Sequence, residues 1–106
     1  MSTSDRFAGK VAVITGGTTG IGRAIARRFV SDGGKIVIGA RHDTLFEEIT
    51  QELGADNCWC QVCDVTNRAQ VDALVQAAYD KFNGFDVMFG NAGINLFKDF
   101  LNVTEE

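Results

Sequence analysis

The sequence predicts an α/β fold in three layers, in which a parallel sheet of four strands is covered on its two faces by three helices. Short apolar runs of strand length alternate with helix-sized segments, and glycine or asparagine stands at the joins. Strands separated by helices form β-α-β units, whose strands run parallel and whose crossovers are right-handed. The length of 106 residues fits one domain.

A glycine-rich turn joins the first strand to the first helix. Residues 10–15 form a largely apolar run, typical of a parallel strand covered on both faces. The turn spans residues 16–22. Beyond it, apolar residues recur at helical spacing, which places them on one face. These are Ile21, Ala24, Ile25 and Phe29. Gly33 and Gly34 are predicted to end this helix.

The second unit repeats this pattern. Residues 35–40 predict the second strand. Thr44 is predicted to cap the next helix, with Glu47 three residues later completing a capping box. Its apolar face comprises Leu45, Ile49 and Leu53. Gly54 is the predicted stop.

The third strand, residues 57–64, is followed by the clearest helical pattern in the chain. Thr66 is its predicted cap, and Asn83 with Gly84 is its predicted end. The apolar stripe comprises Val71, Leu74, Val75, Ala78, Tyr79 and Phe82. Residues 85–89 predict the fourth strand, and residues 102–106 resemble the start of a further helix.

Composition excludes several classes of partner. Ten Lys and Arg against fourteen Asp and Glu give a net charge of −4. Binding to nucleic acid depends on positive charge that displaces phosphate counterions, so neither nucleic acid nor an anionic membrane is an expected partner. Residues 1–8 contain no apolar segment of the kind found in signal peptides. We therefore expect a cytoplasmic protein.

The three cysteines lie within one short stretch, at Cys58, Cys60 and Cys63. Alternation along a strand predicts that the first two face one side and the third the other. A zinc site would need a fourth ligand, and His42 is the only histidine. No metal site is predicted, and we interpret the cysteines as small apolar residues.

The turn after the first strand favours a phosphate-containing ligand. Glycines let the backbone turn tightly and approach a ligand closely. The N-terminus of the following helix presents unpaired N–H groups to a pyrophosphate. Gly22 would allow the helix to pack closely on the strand, as in a Rossmann-type dinucleotide site. A ligand-free turn is the alternative, but the strand before and the helix after it favour the dinucleotide.

The spacing Thr15-Gly16-x-x-x-Gly20-Ile21-Gly22 resembles the cofactor fingerprint of the short-chain dehydrogenase/reductase family. Two further marks stand at the expected strand ends, Asp64-Val65 and Asn91-Ala92-Gly93. The resemblance covers residues 9–106. Phe89 and Gly90 depart from the family pattern, without removing an expected contact.

The resemblance implies a role for each marked residue. Contacts with the pyrophosphate and the adenosine ribose are implied for Gly16, Thr18, Thr19, Gly20, Ile21 and Gly22. Asp64 and Val65 would contact the adenine. The central sheet beside the cofactor would be braced by Asn91, Ala92 and Gly93.

The end of the second strand indicates which nicotinamide cofactor is bound. An acid there would accept hydrogen bonds from the ribose 2′-hydroxyl of NAD, and an arginine would pair with the 2′-phosphate of NADP. By the family alignment Ala40 takes the acid's place and Arg41 follows it. NADP(H) is therefore predicted. NAD remains the alternative, through Asp43 in a shifted loop, and Thr19 stands where many NADP-binding members have a basic residue.

The family's catalytic residues are not found here. It uses a Tyr-x-x-x-Lys pair in which the tyrosine transfers a proton and the lysine lowers its pKa. The only tyrosine, Tyr79, is followed four residues later by Asn83 and is predicted to pack in the core. No serine is expected near the cleft. Residues 1–106 are therefore interpreted as the N-terminal part of one dinucleotide-binding Rossmann domain, with the catalytic half absent.

The sequence leaves open two functions and one alternative fold. The first is the cofactor-binding half of an oxidoreductase that transfers hydride between nicotinamide and an alcohol or ketone, in a parent enzyme that is a homo-oligomer. The second is a non-catalytic nucleotide-binding or interaction module. A flavodoxin-like or receiver fold ranks below both, because a receiver needs acids where Thr15 and Gly16 stand.

Overall fold

The computed structural model describes residues 6–16 and 20–90, and in these ranges it contains one parallel sheet of four strands with three helices. Along the chain the elements are β1 Val11–Thr15, α1 Gly20–Ser31, β2 Lys35–Ala40, α2 Phe46–Leu53, β3 Cys58–Val62, α3 Arg68–Phe82 and β4 Val87–Phe89. The predicted α/β architecture is confirmed. The predicted strands are each within a few residues of the observed ones.

The strands lie in the order β3-β2-β1-β4, so the chain starts near the middle of the sheet, moves outward, and then crosses back. β1 pairs with β2 from Val11 opposite Lys35 onward, and with β4 from Ala12 opposite Val87 onward. Crevices at such a reversal, at the carboxyl ends of the strands, are where open α/β sheets bind ligands. We call this side of the sheet the carboxyl edge.

Apolar side chains of the central strands are buried on both faces of the sheet. On one face Ile14 and Ile36 pack with Phe29 of α1 and with residues of α2. On the other face Val13 and Val37 pack against Leu74 of α3. Burial on both faces explains why β1 and β2 are continuous apolar runs rather than alternating ones.

Ion pairs add to the apolar contact between α1 and α2. The guanidinium of Arg23 lies 2.8 Å from carboxylate oxygens of both Glu48 and Glu52. Arg27 also pairs with Glu52. The pKa of Glu52 is lowered, first by the hydrogen bond from Arg27 and then by that from Arg23. Ion pairs, as well as apolar core contacts, therefore hold α1 and α2 together on this face of the sheet.

The predicted helix ends are confirmed. Backbone φ is +98° at Gly33, two residues after α1, and +95° at Gly54, directly after α2. Asn83 caps α3 in the left-handed conformation, with φ of 62°, and its N–H donates to carbonyls of the last turn. All three residues have a positive φ, with which an α-helix cannot continue.

Both predicted N-caps, Thr44 for α2 and Thr66 for α3, are wrong. α2 begins after Leu45, which makes no side-chain cap, so the box between Thr44 and Glu47 does not form. A backbone bond from Phe46 N–H to the Asp43 carbonyl, 3.1 Å long, closes a turn there and delays the helix.

At α3 the cap is Asn67, one residue after the predicted Thr66. The Asn67 side chain accepts the N–H of Gln70 at 3.1 Å. Thr66 instead donates hydrogen bonds from its N–H and its hydroxyl to Oδ1 of Asp64. Neighbouring polar residues compete for the cap position, and local hydrogen bonds decide between them.

The predicted core role of Tyr79 is also wrong. Its side chain is 49% exposed and meets Phe85 edge-on, with ring centroids 6.3 Å apart. α3 buries Leu74, Ala77 and Ala78 instead. Since each helical residue turns by about 100°, a side chain next to a buried alanine lies on the flank of the contact.

Candidate functional site

A cavity of about 370 Å³ lies at the carboxyl edge, above the ends of β1, β2 and β3. Its volume falls within the range of small-molecule pockets, roughly 300–1,000 Å³. It is lined by Thr15, Gly16, Gly39, Ala40, Arg41, His42, Thr44, Leu45, Cys63 and Val65. The structure thus brings three sequence-predicted site residues, Gly16, Arg41 and Val65, to one cavity.

The backbone between β1 and α1 has a positive φ at two glycines. Gly16 has φ of +77°, and its N–H donates to the Gly39 carbonyl at 2.7 Å, which ties the turn to β2. Gly20, the first residue of α1, has φ of +58° and is exposed. Gly22 is buried on the same helix. The N-terminal turn of α1 therefore starts at an exposed residue.

Two apolar side chains are exposed close to this turn and to the end of β3. Ile21 is 51% exposed and Val65 is 55% exposed. Exposed aliphatic side chains beside a polar backbone turn are suited to one flat, apolar face of a ligand. Thr18 and Thr19, and also Asn91, Ala92 and Gly93, lie outside the described residues.

Asp64 has its carboxylate engaged by its own loop. Oδ1 accepts the Thr66 hydroxyl at 2.7 Å and the Thr66 N–H at 2.9 Å. These bonds lower the pKa of Asp64, with a smaller effect from the positive charge of Arg41. The bonds hold the segment after β3, which carries Val65 to the cavity.

Thr66→Val is expected to raise the pKa of Asp64 toward its ordinary value, because it removes the hydroxyl and leaves the backbone donor. A depressed folded-state pKa stabilises the fold above the unfolded pKa, about 3.9, and that contribution is lost as pH falls through the folded value. The variant should therefore lose stability above this range and match the wild type in stronger acid. Carboxyl NMR titration measures the shift, with Thr44→Val as control. Equal Asp64 pKa values in wild type and Thr66→Val would contradict this account.

The cavity is also lined by residues that were not predicted as site residues from the sequence. His42 directly follows Arg41, and this position just after β2 could have predicted that it lines the cavity. Cys63 is fully buried and lies beneath the cavity on the α3 side of the sheet. Gly39 forms the floor, where Leu74 packs from below.

The cysteines divide as the strand alternation predicts. Cys58 lies in the core on the side of α1 and α2, with Cys60 packed against it, and Cys63 lies in the core on the side of α3. Within residues 6–16 and 20–90, no three potential metal ligands come together. No helix in the same ranges is long and apolar enough to cross a membrane.

Comparison with known proteins agrees with this fold and site. The family described as short chain dehydrogenase matches residues 10–106. Momilactone A synthase from Oryza sativa subsp. japonica is 46% identical over 90 residues, which is 85% of this chain and 33% of that protein. The chain therefore spans about a third of the length of this relative.

Two solved structures share the fold at 38% identity. A 3-ketoacyl-(acyl-carrier-protein) reductase from Brucella melitensis, complexed with NADH, superposes with a TM-score of 0.73 over 78% of this chain and 34% of its own. A short chain dehydrogenase/reductase from Burkholderia phymatum, in complex with NAD, has a TM-score of 0.73 over 78% of this chain and 30% of its own. On these matches, and on the family match over nearly its whole length, this chain belongs to the short-chain dehydrogenase/reductase family.

Proposed function

We propose that residues 1–106 are the N-terminal, cofactor-binding part of an oxidoreductase that transfers hydride between a nicotinamide dinucleotide and an alcohol or ketone carbon. The fold and family support the nucleotide-binding role. The nicotinamide, when bound, supplies the hydride chemistry. The residues described here would hold the other end of the cofactor, with Gly16 and Gly20 shaping the turn beside the pyrophosphate.

We further propose that NADP(H) is preferred over NAD(H). The observation that carries this is Arg41, which lines the cavity at the end of β2 where Ala40 offers no carboxylate. A guanidinium can pair with a 2′-phosphate through charge-assisted hydrogen bonds. His42 lies beside it in the same cavity and adds further N–H donors. The NADH and NAD complexes of the two relatives support a nicotinamide dinucleotide without distinguishing the phosphate.

The setting of the parent enzyme is part of the same proposal. Cys58, Cys60 and Cys63 are free thiols. Thiols persist in a reducing compartment, which supports a cytoplasmic location. The net charge of −4 is unfavourable for nucleic acid or an anionic membrane as a partner. We expect the longer enzyme to be a homo-oligomer, as the family resemblance implies.

Arg41→Gln is expected to weaken NADP⁺ binding by about 10- to 100-fold, because a hydrogen bond to a charged group contributes about 1.5–3 kcal/mol. NAD⁺, which lacks the phosphate, should bind the variant about as well as the wild type. Calorimetric titration of both cofactors into both chains measures the difference.

Lys10→Gln is the matched control, since it removes one positive charge just before β1, at the opposite edge of the sheet. It should change neither affinity. Equal loss of NADP⁺ and NAD⁺ affinity in Arg41→Gln would contradict the proposed reading of the 2′-phosphate. Failure of the folded wild-type chain to bind either cofactor would contradict the cofactor-binding role itself.

A further inference from the structure

Two cysteines and a threonine form a cluster away from the cofactor cavity, between α2 and β3. The sulfur atoms of Cys58 and Cys60 lie 3.8 Å apart. The hydroxyl oxygen of Thr50, on α2, lies 3.7 Å from the Cys60 sulfur. We call these three residues the thiol site. The proposed cofactor role uses none of them.

A second cavity, of about 380 Å³, opens onto the thiol site. Its walls include Phe46 and Glu47 of α2 as well as all three residues of the site. A small solute can therefore approach the half-buried Cys60 from solvent through this cavity. The thiol site thus has the access that a buried structural cysteine lacks.

The two thiols differ in environment. Cys58 is 2% exposed, whereas Cys60 is half-buried at the cavity wall. Hydrogen bonds from Cys58, and from Thr50, stabilise the thiolate of Cys60 and lower its pKa to about 7. The same contact with Cys60, together with burial, raises the pKa of Cys58. Thiolate, the nucleophilic form, therefore accumulates at Cys60 in neutral solution.

We propose that Cys60 is a hydroperoxide-reactive thiol and that Cys58 resolves its oxidised form into a Cys58–Cys60 disulfide. In the first step the Cys60 thiolate attacks one oxygen of hydrogen peroxide. The O–O bond breaks, the attacked oxygen keeps its hydrogen so that the sulfur becomes a sulfenic acid, and hydroxide leaves. In the second step the Cys58 sulfur attacks the Cys60 sulfur, the S–O bond breaks, and water leaves with the Cys58 proton.

The second step requires a local change in the strand, because side chains two apart in a strand point the same way and their Cβ atoms lie further apart than the usual disulfide range, about 3.5–4.5 Å. Residues two apart in a strand are separated by about 6.6 Å between Cα atoms, near the upper end of the usual disulfide range, about 6.8 Å. Within the described residues β3 pairs with β2 alone, so its outer side is free to pucker as the sulfurs close. A bridge formed near this limit is strained and therefore readily reduced by a thiol.

Peptide mapping by mass spectrometry, after brief treatment of the full chain with hydrogen peroxide, tests the proposal. The wild type should yield a Cys58–Cys60 disulfide. Cys58→Ser should instead accumulate sulfenic acid at Cys60, trapped as a dimedone adduct. Cys60→Ser should yield neither product, and Thr50→Val should slow the wild-type reaction. Cys63, buried on the other face of the sheet, is the internal control.

A second measurement needs no substitution and so does not depend on the folding of a variant. Iodoacetamide at neutral pH should alkylate Cys60 about tenfold faster than it alkylates an unperturbed thiol, since a free cysteine is mostly protonated there. In denaturant the three cysteines should react at similar rates. The proposal would be overturned if Cys63 were labelled faster than Cys60 in the native protein. It would also be overturned if dimedone trapped Cys58 in Cys60→Ser as fast as it traps Cys60 in Cys58→Ser.

Discussion

Phe29→Ala is expected to lower the free energy of unfolding by about 3–5 kcal/mol, the range for deleting a buried aromatic ring. The Phe29 side chain is 1% exposed and stacks on Phe7 with ring centroids 4.4 Å apart. Gly34 approaches the same ring so closely that a Cβ there would clash with it. The ring is thus enclosed on both sides, and removing it leaves a cavity that its neighbours cannot readily fill.

Urea denaturation followed by circular dichroism measures this loss, and Tyr79→Ala provides an aromatic control. Tyr79 is 49% exposed, so its removal should cost well under the loss at Phe29. The total stability of a native domain is about 5–15 kcal/mol, so the Phe29 variant should be partly unfolded under mild conditions. Similar losses in the two variants would show that the stack on Phe7 contributes little.

Gly39→Ala is expected to destabilise the fold by about 1–3 kcal/mol through overpacking. A Cβ at this position would lie 2.5 Å from Cδ2 of Leu74 and 3.1 Å from Cβ of Cys63. Leu74 is fully buried, so its side chain cannot swing into solvent to make room. Because Gly39 lines the cavity proposed to hold the cofactor, the same variant should also bind the dinucleotide more weakly.

A double-mutant cycle with Leu74→Ala tests the cause of this loss. Leu74→Ala alone should cost about 2–5 kcal/mol, and the double variant should cost less than the sum by about 0.5–3 kcal/mol. Gly84→Ala is the matched control, because a Cβ there meets only Val11 Cγ2, at an ordinary 3.7 Å. Strict additivity in the cycle, or equal stability of the Gly39 and Gly84 variants, would contradict the packing account.

The centre of the sheet could be predicted because β1 and β2 are buried on both faces. β1 and β2 are fully enclosed, so their sequences are runs of apolar residues that hardly allow another structure. Helix starts were less predictable. Thr44 suits a cap, but the backbone turn from Phe46 to Asp43 makes Leu45 the boundary residue of α2. Thr66 and Asn67 both suit a cap, and the hydrogen bonds of Thr66 to Asp64 leave the position to Asn67.

The candidate site was predictable where a residue's place along a strand determines its place in space. Gly16, Arg41 and Val65 follow the ends of β1, β2 and β3, and parallel strands end at one edge. Gly39 and Cys63 were not predicted as site residues, because a position beneath a cavity produces no periodic pattern in the sequence. The pairing of Thr50 with Cys60 depends on the approach of α2 to β3, which the sequence does not specify.

The ion pairs between α1 and α2 should give the two faces of the sheet different sensitivities to ionic strength. Arg23 has a side chain only 15% exposed and faces two carboxylates of α2, whereas the core contacts of α3 with the opposite face are between apolar side chains. Salt weakens ion pairs at a protein surface, and it weakens short, partly buried pairs less than distant exposed ones, so added salt should weaken the first layer modestly and leave the second almost unchanged. Since α1 follows Gly16 of the cavity in the chain, ionic strength should affect the proposed site through this helix as well as through the charge of the ligand.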